Sequence, residues 1–274
     1  MVKGSIPVDG GNLIIEAEDY EEFIQKDPNA KQFIKQYVGS EEFINNKRRY
    51  CLWLVNVSSS ELRHMPLVMS RLEKVREFRL NSPKEATRKY ANMPYRFMEL
   101  RQPNSSYIIM PSHSSENRKY IPIGFMDKNC ISSNANLIIP NATLYHFGVL
   151  TSNVHMAWMR AVCGRLEMRY RYSNTIVYNN FPWCIPTEEQ KAKIEKTAQE
   201  ILNARALYPE CSLADLYDEL TMPPELRKAH QENDKAVMEA YGFKIKDEQT
   251  GKYRWLSESE TVARLMQMYQ ELTK

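Results

Sequence analysis

The chain has 274 residues, 43% of them hydrophobic, and its 37 basic and 34 acidic side chains leave a formal charge of +3. That is apolar material for a globular core and, at roughly 100–200 residues per domain, for two domains. Cys51, Cys130, Cys163, Cys184 and Cys211 form no C-x-x-C pair, and no apolar run approaches the ~20 residues of a membrane span. A disulfide framework, a zinc ribbon and a membrane partner are therefore not indicated. With no signal-peptide core in MVKGSIPVDGG, a soluble cytoplasmic chain is expected.

In chain order, residues 6–15 (IPVDGGNLII) predict a turn at Asp9-Gly10-Gly11 and then a short apolar strand, and residues 16–38 predict one or two helices around Pro28. Arg48-Arg49-Tyr50-Cys51-Leu52-Trp53-Leu54-Val55 is a basic turn entering an apolar run, the pattern of a buried central strand. From Ser59 to Tyr90 the period is helical, with Leu67, Met69, Leu72, Val75 and Phe78 inward and Arg71, Lys74, Arg76 and Arg79 outward. Strands are predicted at 106–111, 121–125 and 137–139. Between the first two, Ser112 to Tyr120 is a run of hydroxyls and cations that fits either phosphate contacts or a polar hairpin. Charge follows this order: residues 1–30 carry 2 basic and 7 acidic groups, 31–182 carry 22 and 10, and 183–274 carry 13 and 17. A middle of +12 interleaved with Tyr and Asn points to a polyanionic partner, the other reading being a basic surface that serves only solubility.

The stretch from Leu144 to Trp183 is the densest in aromatics, Met, Arg and Asn. Thr151-Ser152-Asn153 offers N-cap side chains, Val154, Trp158, Ala161 and Val162 recur at helical spacing, and Gly164 stands where a C′ residue stops a helix. Alternation follows, with Glu167, Arg169 and Arg171 on one parity and Met168, Tyr170 and Tyr172 on the other. A carboxylate beside guanidiniums is suited to reading base edges, since Glu accepts from cytosine N4 and Arg donates to guanine O6 and N7. A solvated strand face on which Glu167 and Arg169 neutralise each other fits the same pattern. After Trp183, Thr187 and Gln190 form a capping-box pattern. Helices follow to Tyr208, from Ser212, from Pro223 to Tyr241, and from Ser257 to Leu272, with a loop or hairpin over 242–255.

No Gly-rich cofactor loop, paired metal-ligand histidines or nucleophile motif is present in the sequence, so no catalytic, cofactor-binding or metal-binding residue is assigned. His146 and His155, beside Tyr145, Phe147 and Trp158, fit core residues better than ligands. Asn180-Phe181-Pro182-Trp183 lacks the second proline of the Asn-Pro-Pro-aromatic tetrad that holds a flipped adenine in amino-methyltransferases.

The segments YVGSEEFI (37–44), RRYCLWL (48–54), YIPIGF (120–125), IIPNATLYHFGVLTSNVHMAWMRAVCGRL (138–166) and YRYSNTIVYNNFPW (170–183) resemble the target-recognition region of MmeI-like adenine-specific DNA methyltransferases, and the tail resembles that family's C-terminal domain. The resemblance implies a charged pair two residues apart, Glu-x-Arg or Lys-x-Asp, that reads the base pair beside the methylated adenine. Glu167 and Arg169 match the first form. It further implies that Arg171, with the small Ala135, reads the pair on the adenine's other side. The run Ser114-Ser115-Glu116-Asn117-Arg118-Lys119-Tyr120 is similar to a family motif in which Ser114, Ser115, Arg118, Lys119 and Tyr120 fall on backbone-contact positions, with Asn117 where the family has arginine.

The expectation is an α+β chain: a mixed-sheet DNA target-recognition domain, 1–183, and a small all-α C-terminal domain, 184–274. It is expected to recognise double-stranded DNA as the specificity fragment of a prokaryotic restriction-modification methyltransferase. S-adenosylmethionine and methyl transfer would belong to an upstream domain or chain, and the fragment would not itself be an enzyme. The alternatives are a complete small nuclease or methylase with an unfamiliar site, and a protein or RNA interaction module.

Overall fold

Asp9 shapes the first turn. Its carboxylate accepts from the backbone N–H groups of Gly11 (3.1 Å) and Leu13 (2.5 Å), while Gly10 and Gly11 take φ of 64° and 85°, a region closed to most side chains. The chain then enters the strand Ile14–Glu16. The structure, a computed structural model, describes residues 1–247 and 251–274. It has two units that interleave along the sequence: Val2–Ser105 with Met126–Ile138, and Met1 with Ser106–Phe125 and Ile139–Lys274.

The first unit is built on a four-stranded sheet in the order Ile14–Glu16, Arg49–Leu52, Ile34–Val38, Ile131–Ser132. Its first three strands are antiparallel, with Ile15 opposite Tyr50 and Lys35 opposite Cys51; the last is parallel, with Tyr37 opposite Ile131. The apolar run around Cys51 is central, as its composition predicts, and Cys51, Leu52 and Leu54 are buried. Residues 34–38 were expected to be helical. A helix does form over Tyr20–Lys26 and a 3-10 turn over Pro28–Phe33, but pairing with the strands on either side holds Ile34–Val38 extended. A strand at Asn136–Pro140, expected from its apolar run, takes a partner that was not: Val2–Lys3, with Val2 opposite Ile138.

The helix Pro66–Leu80 corrects the predicted faces. Val68, Leu72, Val75 and Arg79 form its buried stripe, whereas Met69 and Phe78, expected inward, are exposed. Arg79, expected outward, is fully buried and donates to five backbone carbonyls: Pro7 and Arg96 from Nη2, Tyr90 and Met93 from Nη1, and Val8 from Nε, at 2.8–3.1 Å. Helical period places residue 79 on the same stripe as 72 and 75, and five carbonyls converging there supply what an arginine needs. Arg71 is also engaged, donating to the carbonyls of Asn12 and Ile14. Lys74 and Arg76 remain as exposed cations on this helix.

In the second unit, Tyr107–Pro111 is a buried strand, but the strand expected over 121–125 begins only at Gly124, running Gly124–Met126. The Ile123 carbonyl is taken by Arg205 Nη1 at 2.7 Å rather than by a sheet ladder. Among the described residues six α-helices follow: Leu144–Leu150, which was not predicted, Asn153–Val162, Glu188–Ala206, Leu213–Leu216, Pro224–Ala240 and Glu258–Leu272. Gly148 lets the first of these lie on the third, since a Cβ there would stand 2.7 Å from the Ile194 side chain. The tail is helical but not wholly so, because Lys244–Lys246 and Tyr253–Trp255 pair as a two-stranded ribbon. Helices on both sides of residue 183 belong to this one unit. Among the described residues no helix is long and apolar enough to cross a membrane.

Replacing Arg79 with Ala takes the side-chain donor from five carbonyls, of which Tyr90 and Met93 keep a backbone N–H partner, so a loss of about 3 kcal/mol is expected. Urea unfolding monitored by circular dichroism checks it. An unchanged midpoint would mean that the arginine does not hold these loops.

Candidate nucleic-acid interface

The helix Asn153–Val162 is the frame of the candidate site. Ser152 Oγ caps it by accepting from His155 N–H (3.3 Å), and every residue from Val154 to Met159 is buried. Trp158 Nε1 donates to the Val177 carbonyl at 3.0 Å, and His155 Nε2 lies 2.9 Å from the Tyr172 hydroxyl. Complete burial pushes the His155 pKa down to about 3, so its ring is a neutral core group. The helix ends at Cys163 in an extended conformation. Gly164, expected as a left-handed stop, instead begins a strand.

From Gly164 the chain forms a β-hairpin, Gly164–Leu166 against Arg169–Arg171, whose second strand also pairs with His113–Ser114. The single extended segment expected across 164–172 is thus folded at Glu167 and Met168. Glu167 takes φ of 56° at the first turn position, where two-residue hairpins favour glycine; a side chain there costs about 1–2 kcal/mol. Arg169 and Arg171 keep the expected parity. Both are exposed while Tyr170 between them and Tyr172 beyond are buried, but Met168 is 69% exposed at the tip. Glu167 and Arg169 stand 3.9 Å apart with side chains 77% and 63% exposed. An ion pair this long and wet is worth at most ~1 kcal/mol, leaving both groups available to other partners.

The hairpin is pinned by a residue that sequence reasoning missed. Arg165, directly opposite Tyr170, lays its guanidinium 4.1 Å from that ring's centroid, and its Nη1 donates to the Met168 carbonyl at 3.1 Å. The register between two strands was the needed signal. With no Asn-Gly or Asp-Gly at the turn, that register was hidden in the sequence.

The Ser112–Tyr120 run divides in two. Ser115, Arg118 and Lys119 lie on a turn where Arg118 N–H donates to the Ser115 carbonyl; Lys119 is exposed and Arg118 half-buried near Asp218. Ser114 and Tyr120 face inward, only 4% and 2% exposed. The Tyr120 hydroxyl donates to Asp234 Oδ2 at 2.6 Å, which removes it from the expected backbone contacts. Asp234 Oδ1 accepts the Asn153 N–H at 2.7 Å, so one buried carboxylate joins the end of the polar run to the start of the framing helix. Next to it the His230 ring stacks on Tyr120 at 4.1 Å, and His230 Nε2 meets the Tyr217 hydroxyl at 2.8 Å.

Ala135 belongs to the other unit. It is exposed in a turn fixed by Ser133 Oγ, which accepts its N–H at 3.2 Å, and by the Ser40 hydroxyl, which donates to its carbonyl at 2.8 Å. Behind the turn, Asn136 Nδ2 donates to the Val38 carbonyl at 2.9 Å. Glu42 accepts from Gly39 N–H at 2.7 Å and pairs with Arg49 at 3.0 Å.

A mixed-sheet α/β architecture with a helical C-terminal region, carrying an exposed basic hairpin, is the class that these features define. The chain belongs to the MmeI family, whose target recognition domain matches residues 1–185 and whose C-terminal domain matches residues 186–274. It is 37% identical over 271 residues to DNA methyltransferase A of Bacillus subtilis (strain 168), covering 99% of this chain and 30% of that protein. The solved structure of the Type IIL restriction-modification enzyme MmeI in complex with DNA superposes with a TM-score of 0.93 at 48% identity, over 99% of this chain and 35% of that one. The chain thus spans about a third of the length of these relatives.

Burial raises the Asp234 pKa to about 6, against the opposing pull of the Tyr120 and Asn153 hydrogen bonds. A carboxyl whose folded pKa lies above its unfolded value favours folding at pH below about 4 and loses that contribution as pH rises through 6. Relative to wild type, Asp234→Asn should therefore gain about 2 kcal/mol of stability between pH 4 and pH 7. Denaturant titrations of both proteins at the two pH values measure the difference. A pH-independent difference would show that Asp234 does not titrate in this window.

Proposed function

We propose that this chain is the duplex-DNA-reading part of a site-specific adenine-N6 methyltransferase of a restriction-modification system. The observation that carries the reading is the exposed Glu167-to-Arg171 hairpin on its buried helical frame, in a chain of the MmeI family. Glu167 accepts from cytosine N4 and Arg169 donates to the O6 and N7 of the paired guanine, so both partners of one C·G pair are read just 3′ of the methylated adenine. Arg171 reads the 5′ pair, and because N7 is common to both purines the core is purine-adenine-cytosine. Ser115, Arg118 and Lys119 hold phosphates and set register rather than sequence.

S-adenosylmethionine and methyl transfer are assigned to a separate domain or chain. Gly10 and Gly11, both at left-handed φ, turn around the Asp9 carboxylate, which itself takes the Gly11 and Leu13 N–H groups that a phosphate would need.

Two measurements test the reading. Duplex affinity should fall steeply as salt rises from about 50 to 200 mM, and Lys119→Ala should lower the slope of log affinity against log salt by roughly one unit without altering sequence preference. A salt-independent affinity would remove the electrostatic basis of the proposal. Selection of bound duplexes from a random pool should yield C after the adenine for the wild type and G for the double variant Glu167→Lys with Arg169→Asp, each contact being worth about 1–3 kcal/mol of discrimination. An unchanged C would return the pair to the role of a neutralised surface face.

A further inference from the structure

Lys119 is exposed, yet the backbone that carries it is tied on both sides. Before it lies the turn in which Arg118 N–H donates to the Ser115 carbonyl and Asn117 N–H to Ser115 Oγ. After it, Tyr120 is anchored through its hydroxyl to Asp234. The Lys119 carbonyl itself accepts from Arg160 Nη1 at 3.3 Å, and the same guanidinium forks onto Glu258, Nε to Oε1 at 2.7 Å and Nη2 to Oε2 at 3.0 Å. Arg160 stands in the last turn of the helix Asn153–Val162 and Glu258 in the first turn of the helix Glu258–Leu272, the ends at which helix dipoles favour those charges. Trp158 and Tyr269, with ring centroids 6.0 Å apart, pack the same two helices together. A bidentate carboxylate fixes the plane of a guanidinium, and with that plane fixed the remaining N–H of Arg160 is held on the Lys119 carbonyl.

We infer that Arg160 and Glu258 are positioning residues for DNA binding: together they hold the Lys119 main chain where its ammonium meets a phosphate, a role that rests on the proposed backbone contact of Lys119. Charge alone predicts the opposite effect for Glu258. Its side chain is 57% exposed, and deleting an exposed carboxylate beside a cationic turn raises the local potential and draws a polyanion closer. Through Arg160, the same carboxylate instead favours DNA, because it keeps one cation in register with the backbone.

The test measures duplex-DNA affinity and its salt slope on the full chain, for wild type, Glu258→Ala and Glu258→Gln, each with and without Lys119→Ala. Glu258→Ala should bind about fivefold more weakly near 0.15 M salt, the counterion-release worth of roughly one phosphate contact. Glu258→Gln, which keeps an oxygen for Arg160 but no charge, should fall between Glu258→Ala and wild type. Lys119→Ala should lower the slope by roughly one unit in wild type and by much less in the Glu258→Ala background. Unchanged or tighter binding by Glu258→Ala overturns the inference, since charge alone would then govern. Should Glu258→Ala fail to fold in urea titrations, the sign of the Glu258→Gln effect decides. An equal effect of Lys119→Ala in both backgrounds also overturns the inference while leaving Lys119 as a phosphate contact. If Lys119→Ala is silent in wild type, the backbone-contact reading falls and the positioning role falls with it. A Glu258 variant that loses sequence preference together with affinity shows a general collapse of the interface, and that too overturns the assignment.

Discussion

The carboxylate of Asp234 carries two obligations at once. It is buried, and it accepts both the Tyr120 hydroxyl and the Asn153 N–H, so the polar run that ends at Tyr120 and the helix that begins at Asn153 are fixed to the same atom pair on the helix Pro224–Ala240. A buried charge is tolerated where hydrogen bonds satisfy it, and removing either donor would leave the carboxylate undercompensated. Everything exposed at the candidate interface of this unit hangs from these two segments. The turn at Ser115–Lys119 lies before Tyr120, and the hairpin lies after the helix. The interface thus takes its positions from a helix of the C-terminal part of the chain.

Side chains proposed to read bases must be both wet and still. The hairpin meets this by burying alternate residues: Tyr170 and Tyr172 are anchored inward, the second against His155, while Arg169 and Arg171 stand outward on the same backbone. Arg165 adds a clamp across the strands and onto the turn. Because the turn lacks glycine, Glu167 occupies a left-handed conformation that the clamp and the ladder must maintain, and backbone strain of this kind is common where a side chain is aimed for function. The other unit solves a similar problem differently. Its Ala135 turn is tied by serine and asparagine side chains to the strand at Ile34–Val38 and the helix after it. Arg79 gathers five carbonyls from two segments distant in sequence, Pro7–Val8 and Tyr90–Arg96.

Much of this was legible in local pattern. The capping side chains of Thr187, Ser212 and Ser257 mark helix starts where the structure has them, because an N-cap is a contact within four residues. The Cys51 run reads as a central strand because only a strand buried on both faces is so uniformly apolar. The family was legible too, since long segments such as 138–166 keep their residue order, and the recognition and C-terminal domains of that family span residues 1–185 and 186–274.

What the sequence determined by itself is therefore local: caps, apolar periods, the basic middle segment and the Glu-x-Arg spacing. The tertiary structure decided which face each residue takes when its partner is distant. Arg79 and Phe78 exchanged their expected environments because the carbonyls that satisfy Arg79 come from residues 7 to 96. Tyr120 turned inward because its acceptor lies 114 positions away. The hairpin replaced a straight strand because its register depends on His113–Ser114 and on the Arg165–Tyr170 contact, neither of which leaves a turn signature in the chain. Periodicity records only what neighbours along the backbone require. A buried polar group goes where its hydrogen-bond partner is, and that partner's position exists only once the chain has folded.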